Sequence, residues 1–110
     1  MNKVELMFKD KGIPRVGTTV YKKQVAIEFI NECNKHKIDI LGIDALLITG
    51  NTTQPSMENS IDFSVTSKSY DNWDAAIKFL NERSNIYYFE IVCETNIIIE
   101  FVKFAPNSCN

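Results

Sequence analysis

The chain has 110 residues, of which 45% are hydrophobic and 24% charged, and its formal net charge is −2. That size and balance fit one folded domain with its own core, spanning residues 1–110, and argue against a disordered chain. Its apolar runs are only a few residues long, so no membrane-spanning helix is expected, and Met1-Asn2-Lys3-Val4-Glu5 opens no secretory h-region.

Cys33, Cys93 and Cys109 are odd in number and have no CxxC spacing. They predict plain thiols in a reducing, cytoplasmic setting and no disulfide framework. Charge is uneven along the chain. Residues 1–37 carry eight Lys/Arg against four Asp/Glu, whereas residues 38–67 carry Asp39, Asp44, Glu58 and Asp62 and no base. Such asymmetry bears on association and not on fold. The base-free segment is either a solvated face or a docking surface for a cationic partner.

Val4-Glu5-Leu6-Met7-Phe8 is apolar and β-compatible, so a short first strand is predicted there. A loop through Gly17 follows, started by Asp10-Lys11-Gly12-Ile13-Pro14. Thr18 or Thr19 is expected to cap a helix over 19–36, with Val25, Ala26, Phe29, Ile30 and Cys33 on one face. His36, the one histidine, falls in its last turn, where a cation suits the helix dipole.

Residues 38–48 read as a buried strand interrupted at Gly42, and residues 50–56 as a polar loop. Ile61, Phe63 and Val65 alternate with polar residues, as in a half-buried strand. Asp71 is the expected cap of a second helix over 71–83, with Trp73, Ala76, Ile77 and Leu80 in its stripe; Trp73, Ile77 and Leu80 should be buried. Residues 86–93 and 97–104 read as strands joined by Glu94-Thr95-Asn96 into a hairpin, and residues 105–110 as a fraying tail. The order β-α-β-β-α-β-β implies an α+β domain: a mostly antiparallel sheet of about five strands with two helices on one face.

The sequence is poor in catalytic equipment. Four scattered glycines form no phosphate-binding loop, and one His with three dispersed Cys does not make a zinc site, so no cofactor or metal is expected. Cys33 and His36 share helical spacing, but Cys33 belongs to the apolar stripe. Asp39, Asp44, Glu58 and Asp62 could do acid–base work if two converged; surface solubility explains them equally well. Tyr87-Tyr88-Phe89 could stack bases, yet Glu90, Glu94 and Glu100 replace the basic surround that nucleic acid requires. Neither a nucleic-acid nor a membrane partner is expected.

Seven stretches carry a family resemblance. They are Gly12-Ile13, Lys23-Gln24-Val25-Ala26-Ile27-Glu28-Phe29, Ile38-Asp39-Ile40-Leu41-Gly42-Ile43-Asp44, a strand ending at Gly50, Pro55-Ser56-Met57-Glu58-Asn59-Ser60-Ile61-Asp62-Phe63, Asn72-Trp73 and Tyr87-Tyr88-Phe89-Glu90-Ile91-Val92. Together they resemble the immunity protein 40 family of bacterial polymorphic toxin systems. The chain departs from that pattern at Ile43, where the family has a second glycine, and at Ser60-Ile61, where a tryptophan is expected. The resemblance implies a cytoplasmic, non-enzymatic protein that neutralises a cognate toxin by binding it. An acidic binder would complement a basic, nuclease-type toxin. Asp44, Glu58 and Asp62, in or beside the family-like motif, are then the expected contact residues, although Asp44 could instead cap a turn after Gly42. The alternatives are an adaptor that binds through a sheet edge or apolar patch, and a small carboxylate-dependent enzyme.

Overall fold

A computed structural model describes residues 1–15, 17–63 and 72–94. The order is α1 (Lys3–Met7), a 3-10 turn (Lys9–Lys11), β1 (Ile13–Arg15), β2 (Thr18–Lys22), α2 (Lys23–Lys35), β3 (Ile40–Thr49), β4 (Thr52–Asp62), α3 (Asn72–Asn81) and β5 (Tyr88–Cys93). The fold is α+β. Among the described residues five strands form one sheet in the order β1-β2-β5-β3-β4, and every pairing between them is antiparallel.

The expected first strand is a helix. Asn2 and Glu5 form a reciprocal capping box: Asn2 Oδ1 accepts from the Glu5 N–H at 2.8 Å, and Glu5 Oε1 accepts from the Asn2 N–H at 2.7 Å. Val4 and Phe8, four residues apart, then turn to the core. The expected loop is largely a hairpin, β1–β2. Thr18 and Thr19 are strand residues in it, not helix caps, and α2 starts at Lys23 without a side-chain cap. Gly12 is required at this point, because a Cβ there would lie 2.5 Å from the Val20 carbonyl oxygen.

Helix α2 buries Ala26, Phe29, Ile30 and Cys33 of the stripe its periodicity predicted, while Val25, also expected there, is half-buried. Its end is a Schellman motif: the Ile38 N–H donates to Cys33 O at 2.9 Å and the Lys37 N–H to Asn34 O at 3.2 Å. Lys37 holds the left-handed position at φ 56°, where glycine is the usual choice. The chain is thereby turned sharply into β3.

Strand β3 covers most of its expected range. The supposed polar loop over 50–56 shrinks to a two-residue turn, Gly50-Asn51, with Gly50 at φ 59°. Strand β4 begins at Thr52 and tolerates Pro55 because it lies at the sheet edge. It ends at Asp62, so the strand expected around Ile61 begins nine residues earlier; Val65 lies outside the described residues. Helix α3 occupies the expected region, burying Trp73, Ala76 and Leu80, while Ile77 is half-buried and not buried as expected. Strand β5 starts at Tyr88, and Ile86, counted as its first residue, is exposed. The cap Asp71, the strand over 97–104, its hairpin and the tail over 105–110 all lie outside the described residues.

Helices α2 and α3 pack against each other and on one face of the sheet, α2 on β2 and β5 and α3 on β3. Phe29 meets Tyr21 and Phe8 there, at ring-centroid distances of 5.4 and 5.2 Å. The alternation of β5 sends Phe89, Ile91 and Cys93 into this core and leaves Tyr88, Glu90 and Val92 on the opposite, open face.

Candidate functional site

The open face of the sheet holds the acidic residues singled out in the sequence. Ile43 and Ala45 are buried in the helix-side core, so Asp44 between them points to the open face, where it is exposed. Gly42 pairs with Asp62 on one side and Val92 on the other, which brings Asp62 and Val92 to the same face. Glu58 is exposed on β4. Asp44 is a mid-strand residue and caps no turn.

A large bulge shapes this surface. Ala45 pairs with Ser56 and Ile43 with Ile61, so Asp44 alone stands opposite four residues, Met57, Glu58, Asn59 and Ser60. Such an insertion strands ladder groups unless side chains replace the missing partners. Ser60 does so: its Oγ accepts from the Ala45 N–H at 2.9 Å and donates to Ser56 O at 2.7 Å. Asn59 Nδ2 donates to Ser56 Oγ at 2.8 Å and to Tyr87 Oη at 3.1 Å, tying the bulge to the segment before β5. Ser60→Ala removes both Ser60 bonds and orphans the Ala45 N–H. It is expected to cost about 1–3 kcal/mol, read by urea denaturation, with faster amide exchange at Ala45.

Beneath the bulge runs a groove of about 460 Å³ lined by Leu41, Gly42, Asp44, Met57, Ser60, Ile61, Asp62 and Val92. Asp44 and Asp62 therefore share one site, while Glu58 stands on the bulge without lining the groove. Met57 is 83% exposed and Val92 39%, so both present apolar surface to solvent beside the acidic residues. Asp44 also pairs directly with Glu90 of β5. Like charges set opposite each other across strands are unfavourable, and neither carboxylate forms a hydrogen bond or ion pair among the described residues. Lys22 of β2 stands over the Tyr88 ring at 5.9 Å from its centroid.

Sequence reasoning missed Met57, Val92 and Glu90. Val92 and Glu90 were detectable from the alternation of β5. Met57 is a lone large apolar residue in a polar stretch, and its exposure depends on a bulge that exists only once β3 and β4 pair.

The other candidate chemistries come apart. Cys33 is fully buried, and its thiol donates to Cys93; that bond and burial push the Cys33 thiol up. His36 is exposed and faces Glu32, with Nε2 3.8 Å from Oε1, so the two are not brought together as nucleophile and base. Tyr87, Tyr88 and Phe89 do not share a platform, since Phe89 is buried and Tyr88 lies on the open face. Asp39 sits between α2 and β3, its carbonyl accepting from the Glu94 N–H at 2.9 Å. Among the described residues no group of three or more His, Cys, Asp or Glu could hold a metal ion, and no helix is long and apolar enough to cross a membrane. No family model, curated protein or solved structure matches this chain.

Proposed function

We propose that this protein is an immunity protein: it neutralises a cognate bacterial toxin in the cytoplasm by direct binding through the open, acidic face of its sheet, and it has no enzymatic activity. The observation that carries this reading is the bulge-bounded groove. It combines exposed apolar surface with the Asp44 carboxylate, set opposite Glu90, on a strand scaffold, which suits recognition of a basic protein surface. Asp44 and Asp62 share the groove but stand in solvent, whereas carboxylate catalysis relies on differently buried, split environments. The adaptor reading through a sheet edge is weakened by β4 itself, whose Pro55 and bulge interrupt the row of pairing groups.

The test is co-expression with the toxin encoded beside it, scoring rescue of growth and isolation of a stable complex. Failure of both would overturn the proposal. In a complex that does form, Glu58→Lys combined with Asp62→Lys is expected to slow association by about tenfold at low salt and to flatten its salt dependence, with Glu58→Lys alone acting in the same direction. Unchanged association rates would move the contact surface away from the acidic face.

A further inference from the structure

We infer that the groove under the β4 bulge receives a lysine or arginine side chain of a protein partner, its aliphatic stem lying between Met57 and Val92 and its charge reaching Asp44. This rests on the reading of the open face as a binding surface and specifies what that surface takes. Three observations point the same way. The groove walls are apolar and solvent-exposed at Met57 and Val92, which fits the methylene stem of a long basic residue. Its charged lining residues are Asp44 and Asp62, both acidic. Asp44 is also held directly opposite Glu90, an arrangement that an incoming cation would relieve.

The bulge makes the site selective. Gly42 forms part of the groove without a side chain, and a Cβ there would lie 3.0 Å from the Ile61 carbonyl oxygen. Ser60 and Asn59 fix the bulge from within, so Met57 is presented without reordering of the strand. Preorganisation of this kind favours one seated side chain over diffuse attraction to an acidic surface.

The experiment needs no cognate partner. The full chain, labelled with nitrogen-15, is titrated with the blocked peptides acetyl-Gly-Lys-Gly-amide and acetyl-Gly-Arg-Gly-amide, and with the Nε-acetyl-lysine counterpart as neutral control. Saturable amide shifts are expected at Gly42, Asp44, Met57 and Val92, at least five-fold weaker with the control. Met57→Ser and Asp44→Asn should each weaken binding at least three-fold. Asp44→Asn should leave the melting temperature unchanged or higher, which separates lost binding from lost folding. Shifts spread equally over Asp74, Glu82 and the groove, or binding indifferent to Met57→Ser, would overturn the inference in favour of general charge attraction. A toxin complex whose affinity ignores both variants would overturn it while leaving the immunity reading intact. Peptide seating without toxin rescue would do the reverse.

Discussion

Trp73→Ala is expected to destabilise the domain by about 3–5 kcal/mol, the range for removing a large aromatic from a core. Trp73 is buried at the start of α3, and three interactions leave with it. The first is its contact with the core under β3. The second is the bond from Nε1–H to Ile38 O at 2.8 Å, which fixes the connection between α2 and β3. The third is the stack of Lys37 Nζ 5.1 Å from the ring centroid, worth about 0.5–1 kcal/mol at a surface site. For a chain of this length the loss corresponds to a fall in melting temperature of at least about 12 °C. Circular dichroism must report it, because Trp73 is the sole tryptophan and the variant has lost that fluorophore. Trp73→Phe keeps a ring but strands the Ile38 carbonyl, for an expected cost of about 1–3 kcal/mol. A Trp73→Ala cost below about 1 kcal/mol would show that α3 does not clamp this connection.

Asn2→Ala is expected to cost about 2–4 kcal/mol, far more than a change near a chain end normally does. Asn2 is the one fully buried polar side chain among the described residues. Its Oδ1 caps α1, and loss of a cap costs about 1 kcal/mol. Its Nδ2 donates to Glu94 O at 2.6 Å and to Cys93 Sγ at 3.2 Å, so the same side chain links α1 to the end of β5. Removing it leaves the part-buried Glu94 carbonyl without this donor, which adds about 1–3 kcal/mol. Asn2→Asp separates the two roles. It keeps the cap acceptor but turns a carboxylate toward the Glu94 carbonyl, so it should be no more stable than Asn2→Ala. If Asn2→Asp instead unfolds in urea like the unaltered protein, the link to β5 contributes nothing and Asn2 is a cap alone.

Where a segment has a single dominant period, the sequence reveals its structure. Ala26, Phe29, Ile30 and Cys33 on α2, and Trp73, Ala76 and Leu80 on α3, repeat at helical spacing because each helix buries one stripe. The first segment has no such clarity. Val4, Leu6 and Phe8 alternate as in a strand, and Val4 with Phe8 also fits one helical turn. The Asn2–Glu5 spacing of a capping box was the available arbiter. Strand β4 was hidden for another reason. An edge strand has neighbours on one side only, so it can be polar and carry Pro55 without losing a ladder bond. The shared groove was partly visible, as a base-free acidic segment. Its geometry was not, because a bulge is a property of register between two strands and leaves little mark on either alone.

The strand order has a consequence in time as well as in space. Strands β1 and β2 form one hairpin and β3 and β4 another, both local, yet β5 lies between them at the centre of the sheet. During synthesis the two hairpins emerge first with nothing to join them, and the central ladders await a strand 39 residues beyond Thr49. Loop closure over that separation makes sheet completion the slow, non-local event of folding. Until β5 docks, the inner edges of β2 and β3 stay unpaired and open to association with other nascent chains. The ribosome must therefore release nearly the whole described chain before the open face of the sheet is complete, since Val92 and Glu90 of that face arrive with the last described strand.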